Sequence, residues 1–401
     1  MTEVRRSATA AASERIASLD ALRAGALFLG VVLHSLMSVG TIGWVVTDDS
    51  RVPVADAIIN GIHVFRMPLF FALAGYFARG SLARRGPRRF AADRAKRILA
   101  PLVALWPVAV LPVIVVAIAF AITHPDVPTT PPSDDPLAIA TPAHLWFLWS
   151  LTQLYVLLLL ASWLLPKVIS AEQRQRMSDA LARALTGPAA PLWAAIPLVA
   201  ALWLQPSGIV GPATLRPELP ATLAFGGAFG VGWCWAGAAD ALDRLRRGWQ
   251  LRLAGAIVLT GMCLIIGVPA PGQSSLLGLL TTLVAYPLAT WLWVYGLVGF
   301  AATWLRAPRT GVRYLAEASY WVYLTHLGWV CLLQFAVADL AWPWPVKVLL
   351  VLAGTMVATL STYHLLVRST PIGRWLNGRT YPYRTPPAGS SVPTELTEAS
   401  R

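Results

Sequence analysis

Charge is scarce in this chain. Only 13% of its 401 residues are Asp, Glu, Lys or Arg, about half the share of an ordinary soluble domain. By contrast 56% are apolar and the mean hydropathy is +0.60. That leaves too little polar material to cover a globular surface of this size, which excludes a soluble enzyme and makes lipid the expected solvent. Cysteine is scarce too. Cys234, Cys263 and Cys331 each fall inside an apolar run, with neither pairing nor ligand spacing, so neither a disulfide framework nor a metal centre is implied. No solenoid-length repeat and no inverted pair of Gly/Pro-broken spans is visible. A cleavable leader is also missing, because the first apolar run follows a polar arm, is long, and carries Arg23 and His34.

What is present is apolar sequence in lengths that suit a bilayer. Ten runs, near 19–39, 57–78, 98–123, 144–165, 190–205, 219–239, 251–268, 276–304, 314–337 and 346–367, are candidates to cross about 30 Å of hydrocarbon at 1.5 Å per residue. The fifth and seventh are short, and the eighth is long enough to tilt. The expected fold class is therefore all-α integral membrane, a bundle of about ten transmembrane helices. Residues 1–18 form an arm, 19–367 the membrane domain and 368–401 a tail; the Pro/Ser/Thr-rich tail and the Pro/Asp-rich loop 124–143 read as extended or disordered.

The net charge of +13 would suit nucleic-acid binding if it formed one patch. It does not. With the N-terminus inside, 27 of the 32 Lys and Arg fall in alternate, cytoplasmic segments, and Arg51, Arg216 and Lys347 lie on the other side. The positive-inside rule accounts for that partition, places both termini in the cytoplasm and removes nucleic acid as a partner. The run from Arg84 to Arg89 can also touch anionic lipid headgroups.

Ionisable groups at membrane depth cost about 2.5–3.5 kcal/mol or more each and are functional candidates by default. Arg23 and His34 are eleven residues apart, which returns them to within about 20° of one helix face with about 16 Å of rise between them. Asp20 can pair with Arg23 and orient it. Snorkelling of Arg23 to lipid phosphates with a single interhelical hydrogen bond from His34 is the plainer alternative. His63 and Arg66 of the second run, His34 of the first and His144 at the start of the fourth fall at similar depth in the outer half, so a polar cavity open to the outside is expected. Ser319, Tyr323 and His326 share one face of the ninth run, as interhelical glue or as part of that cavity wall; Glu317 is placed to pair with an inner arginine.

Four segments resemble the acyltransferase 3 family of integral membrane acyltransferases. They are Leu19 to Arg23 continuing to His34, Phe65 to Tyr76, His144 to Leu148, and Ser319-Tyr320 continuing to His326. They keep the family's order along the whole ten-run region. His34 matches the proposed catalytic histidine of that family and Arg23 its partner. The second segment departs in Ala74, where a serine is common before the glycine, and in Arg66, where a histidine is frequent. The resemblance implies a multi-pass protein of the bacterial cytoplasmic (inner) membrane with no resident cofactor. It would take acyl-CoA, acetyl- or succinyl-CoA, as donor and a carbohydrate or glycoconjugate hydroxyl as acceptor. On that reading His34 is general base or acyl carrier, and His63, Arg66, His144, Tyr323 and His326 contact substrate. A transporter using the same cavity is the alternative from another class.

Overall fold

The computed structural model describes residues 2–127, 141–209, 211–267, 275–306, 310–378 and 380–381, with residues 2–16 followed by backbone alone. Most of the tail and of the expected outer loop lies outside the described residues. Among those described there is no strand. The first third of the chain forms α1 (Thr2–Leu36), α2 (Pro53–Arg94), α3 (Ala100–Ala104) and α4 (Trp106–Thr123). Then come α5 (Trp146–Val168), α6 (Ala171–Ala184), α7 (Ala190–Leu204), α8 (Leu219–Trp235), α9 (Ala241–Leu245) and α10 (Trp249–Ile266). The last third holds α11 (Leu276–Leu280), α12 (Tyr286–Trp304), α13 (Thr310–Val337), α14 (Trp344–Thr362) and α15 (Pro371–Asn377). Single π-turns at Ala95–Leu99 and Thr281–Ala285 join helix to helix without a loop, and a third, Tyr363–Val367, extends the end of α14.

All ten apolar runs are helical, but only seven helical segments are long and apolar enough to cross a membrane among the described residues. Two effects separate seven from ten. The second and third runs sit on one helical stretch, Pro53–Thr123, which bends at Gly86 (φ 72°, a left-handed backbone that suits glycine) and at Leu105. The fifth and sixth runs form helices of only 15 and 17 residues, about 22–26 Å long at 1.5 Å per residue and so short of the hydrocarbon thickness. The polar arm and the first run are a single helix, α1, whose apolar part is Ala17–Leu36. No apolar run marks α6, a polar helix that begins with a capping box between Ser170 and Gln173.

The outer faces of these helices are apolar and open: Val115, Ile122, Ile265 and Val357 are 63–87% exposed. Patches of that extent belong in lipid. Together with the seven apolar segments they make this a multi-pass membrane protein. Inside, the longest contact joins α2 to α8. It is close because glycines face backbone there: a Cβ on Gly75 would collide with the Phe229 carbonyl, and one on Gly232 with that of Ala72. Small residues that let helix backbones touch are the means by which membrane helices associate without a hydrophobic driving force.

Among the described residues one ion pair has both side chains buried. Lys347, read from the sequence as a charge on the outer side at the start of the tenth run, lies in the first turn of α14, where Nζ donates to Asp48 Oδ2 at 2.6 Å and to the Ala338 carbonyl at 2.8 Å. Both side chains are nearly inaccessible. The Asp48 amide donates in turn to the Ser38 carbonyl at 2.9 Å, so the pair clamps the segment between α1 and α2 against α13 and α14. Separating such a pair costs more than it gains in isolation, which makes the clamp stiff.

Candidate active site

A cavity of about 860 Å³ runs beside α1. Arg23, Leu27, Gly30, His34 and Met37 line it, spaced by three and four residues, so one stripe of α1 forms its wall over about 21 Å of rise. The expected alignment of Arg23 with His34 on one face is therefore observed. His63, Arg66, His144, Ser319, Tyr323 and His326 line the same cavity. Asp20 stands beside it and pairs with Arg23 at 3.1 Å. Glu317 is turned away and pairs with Arg313 at 3.2 Å.

The Arg23 end is cationic. Arg94 and Arg97 also line it, and both share the Asp93 carboxylate with Arg85, at 3.1, 3.0 and 2.6 Å. One carboxylate against three guanidiniums leaves net positive charge at this end. Tyr320 Oη donates to the Arg97 carbonyl at 2.8 Å and Asn377 Nδ2 to the Glu317 carbonyl at 3.2 Å, seating α15 at the rim. The sequence signalled these arginines only as a basic loop, because nothing in a run of Arg and Ala tells which of them turns inward.

Midway along the cavity three imidazoles meet. The His326 ring lies 5.3 Å from His34 and 5.3 Å from His144. His326 Nδ1 sits 2.9 Å from the Tyr323 carbonyl and 3.1 Å from that of Val322. Carbonyls only accept, so this nitrogen carries the proton and Nε2 is left as an acceptor. His326 is thus both glue and cavity wall. The same logic puts the His144 proton on Nε2, 3.3 Å from the Leu324 carbonyl, while its Nδ1 is buried without a partner. Its backbone carbonyl accepts from Tyr323 Oη at 2.8 Å. Ala143 just before it holds φ at 44°, a left-handed strain of order 1–3 kcal/mol for a residue with a Cβ, which the short turn Ala143–Leu145 sustains while aiming His144 inward. His34 Nδ1 is likewise buried without a partner.

Arg66 is the unusual member. Its guanidinium lies over Gly30, where a Cβ would come within 2.5 Å of Nη1. Its Nε is buried with no hydrogen-bond partner and no carboxylate pairs with it. His63, one turn earlier, lines the cavity beside it and is exposed to the cavity space. A fixed cation and neutral imidazoles without a counter-charge form a surface that favours developing negative charge over neutral or positive ligands. Among the described residues no cluster of His, Cys, Asp and Glu is arranged to hold a metal ion.

This arrangement coincides with a known pattern. A family model described as an acyltransferase domain, the acyltransferase 3 model, matches residues 16–364. The chain belongs to the acyltransferase 3 family. The matched residues contain the cavity residues Arg23, His34, His63, Arg66, His144, Ser319, Tyr323 and His326. Among curated proteins, glucans biosynthesis protein C of Salmonella paratyphi B is 28% identical over 132 residues, covering 32% of this chain and 34% of that protein. The proteins of the same name from Salmonella heidelberg and Salmonella dublin align with the same figures. The alignment spans about a third of the length of these relatives. No solved structure matches the chain.

The residues that sequence reading did not single out are Trp44, Gln334, Arg94 and Arg97. Trp44 and Gln334 touch His34 from a loop and from the far end of α13; no local spacing connects positions about 290 residues apart.

Proposed function

We propose that this acyltransferase moves an acyl group from cytosolic acyl-CoA, acetyl- or succinyl-CoA, to a carbohydrate or glycoconjugate hydroxyl presented at the outer face of the bacterial inner membrane. The observation that carries the proposal is one cavity lined by Arg23 and Arg97 as well as by His34, His63 and Arg66; in this reading it opens to the cytoplasm beside Arg23 and to the outside beside His63. In this reading ten helices cross the bilayer with both termini in the cytoplasm, in line with the basic loops.

The cationic mouth then receives the phosphates of the donor, and the acyl thioester reaches the His34 level. The acceptor oxygen attacks the thioester carbonyl while His34 removes its proton; a neutral imidazole has the basicity for this near neutral pH. The former carbonyl oxygen becomes an oxyanion beside Arg66, whose uncompensated charge is greatest in value at that moment. Collapse breaks the carbon–sulfur bond, and the proton held by His34 passes to the leaving thiolate. Acyl group, proton and electron pairs balance without a further reactant. His326, with its acceptor nitrogen free, and His144 shape the pocket beside the base, and Asp20 holds Arg23.

The test is release of CoA thiol by the purified protein in lipid vesicles given acetyl- or succinyl-CoA and a soluble glucan. Thiol release that depends on both components is the expected outcome. Uptake of the glucan with no thiol from either donor would make the cavity a transport path instead.

A further inference from the structure

His34 is gripped from outside the membrane bundle by a loop that the catalytic reading leaves unused. The Trp44 indole stacks on the His34 imidazole, with centroids 5.5 Å apart and planes 20° from parallel. The imidazole also meets the His326 ring at 5.3 Å in a tilted arrangement, 42° between planes. Gln334, itself buried, bridges the arrangement: its Oε1 accepts from Trp44 Nε1 at 2.8 Å and its Nε2 donates to the His34 carbonyl at 2.8 Å. The loop carrying Trp44 is fixed at both ends, by the buried Asp48–Lys347 pair and by Asp56, which accepts from the Thr41 amide and hydroxyl at 2.9 and 2.7 Å. This is a built support, formed from α1, α2, α13, α14 and the loop between α1 and α2.

A histidine that takes a proton during acyl transfer needs something to hold the imidazolium, a role usually filled by a carboxylate on the ring's far nitrogen. Here the titratable and charged groups facing His34 are His326, Arg66, His144 and His63. None is acidic, one is a fixed cation, and His34 Nδ1 has no hydrogen-bond partner. The face of the indole, 5.5 Å away and stacked on the ring, is a source of negative potential against it, within the range over which a tryptophan face attracts a cation.

We propose that Trp44 is the positioning residue for His34, standing where a carboxylate would otherwise stand: its indole face fixes the imidazole plane and favours the imidazolium formed during transfer. The proposal rests on the reading of His34 as the base. Gln334 then has the task of keeping the indole in register with the α1 backbone.

The experiment replaces Trp44 alone, by nonsense suppression, with 5-fluoro-, 5,7-difluoro- and 5,6,7-trifluorotryptophan, which withdraw ring electron density with little change in shape. Turnover is followed as CoA thiol release with the donor, acetyl- or succinyl-CoA, and glucan that the wild type uses. We expect log kcat to fall stepwise with each fluorine, to a total loss of about tenfold, with the donor KM unchanged. Trp44→Phe should keep most of the rate and Trp44→Leu should lose at least as much as the trifluoro ring. A kcat that is flat across the series, or a change confined to KM, overturns the proposal. Folding is controlled within the series, since near-isosteric rings insert alike. The two readings fail separately: retained turnover in His34→Ala removes the base and the proposal with it, whereas a flat series alongside an inactive His34→Ala removes only the role of Trp44.

Discussion

His34→Ala is expected to reduce acyl transfer by at least a hundredfold and by up to about ten-thousandfold, the range that a positioned general base contributes. The loss should appear in kcat, with the donor KM close to that of the wild type, because the donor site proposed at Arg23 is about 16 Å of helix rise away. Insertion should be normal, since the His34 side chain makes no hydrogen bond whose loss would destabilise the bundle; the bonded group at this position is its backbone carbonyl, which alanine retains. Thiol release by membranes carrying equal amounts of the two proteins decides the point.

Arg66→Met should lower kcat by about 10²–10³, the loss seen when one preorganised oxyanion donor is removed. A second effect of opposite sign separates this from simple damage. The guanidinium is partly buried, its Nε has no partner, and no carboxylate offsets its charge, so the folded protein bears a desolvation cost that methionine relieves. The variant is therefore expected to be at least as heat-stable as the wild type while being far less active, the pattern of a residue kept for function against stability. Thermal unfolding in detergent, read beside thiol release, checks both. A variant both inactive and markedly less stable would mean that Arg66 holds the helices together.

Much of this was legible in the sequence, and the reason is physical. Lipid leaves few ways to satisfy a polar group, so each ionisable residue inside an apolar run points to a site. Arg23, His34, His63, Arg66, His144, Tyr323 and His326 stood out on that ground or through the family likeness, and the fold brings all of them to one cavity. Helix periodicity put Arg23 and His34 on one face because eleven residues is close to three whole turns. Span counting was less secure. The apolar runs were found, but where π-turns and a left-handed glycine join them into longer helical stretches, run length no longer equals helix length. The burial of Lys347 was not legible, because the positive-inside rule treats a lysine at a helix end as a solvated charge, whereas Asp48 from a distant loop buries it. Trp44 and Gln334 were silent for the same reason: a neutral aromatic and an amide carry no signal until tertiary contact supplies one.

The central claim is that acyl group and acceptor meet at His34 within one cavity that is entered from both sides of the membrane. Sealed vesicles containing uniformly oriented protein test it most directly, with acyl-labelled acetyl- or succinyl-CoA confined to the side of the Arg23 mouth and a soluble glucan to the side of His63. Label is expected on the glucan across the membrane, with CoA thiol left on the donor side, and neither should form with His34→Ala. Label that reaches glucan only when donor and acceptor share one side, or that reaches it equally with His34→Ala, would contradict the account.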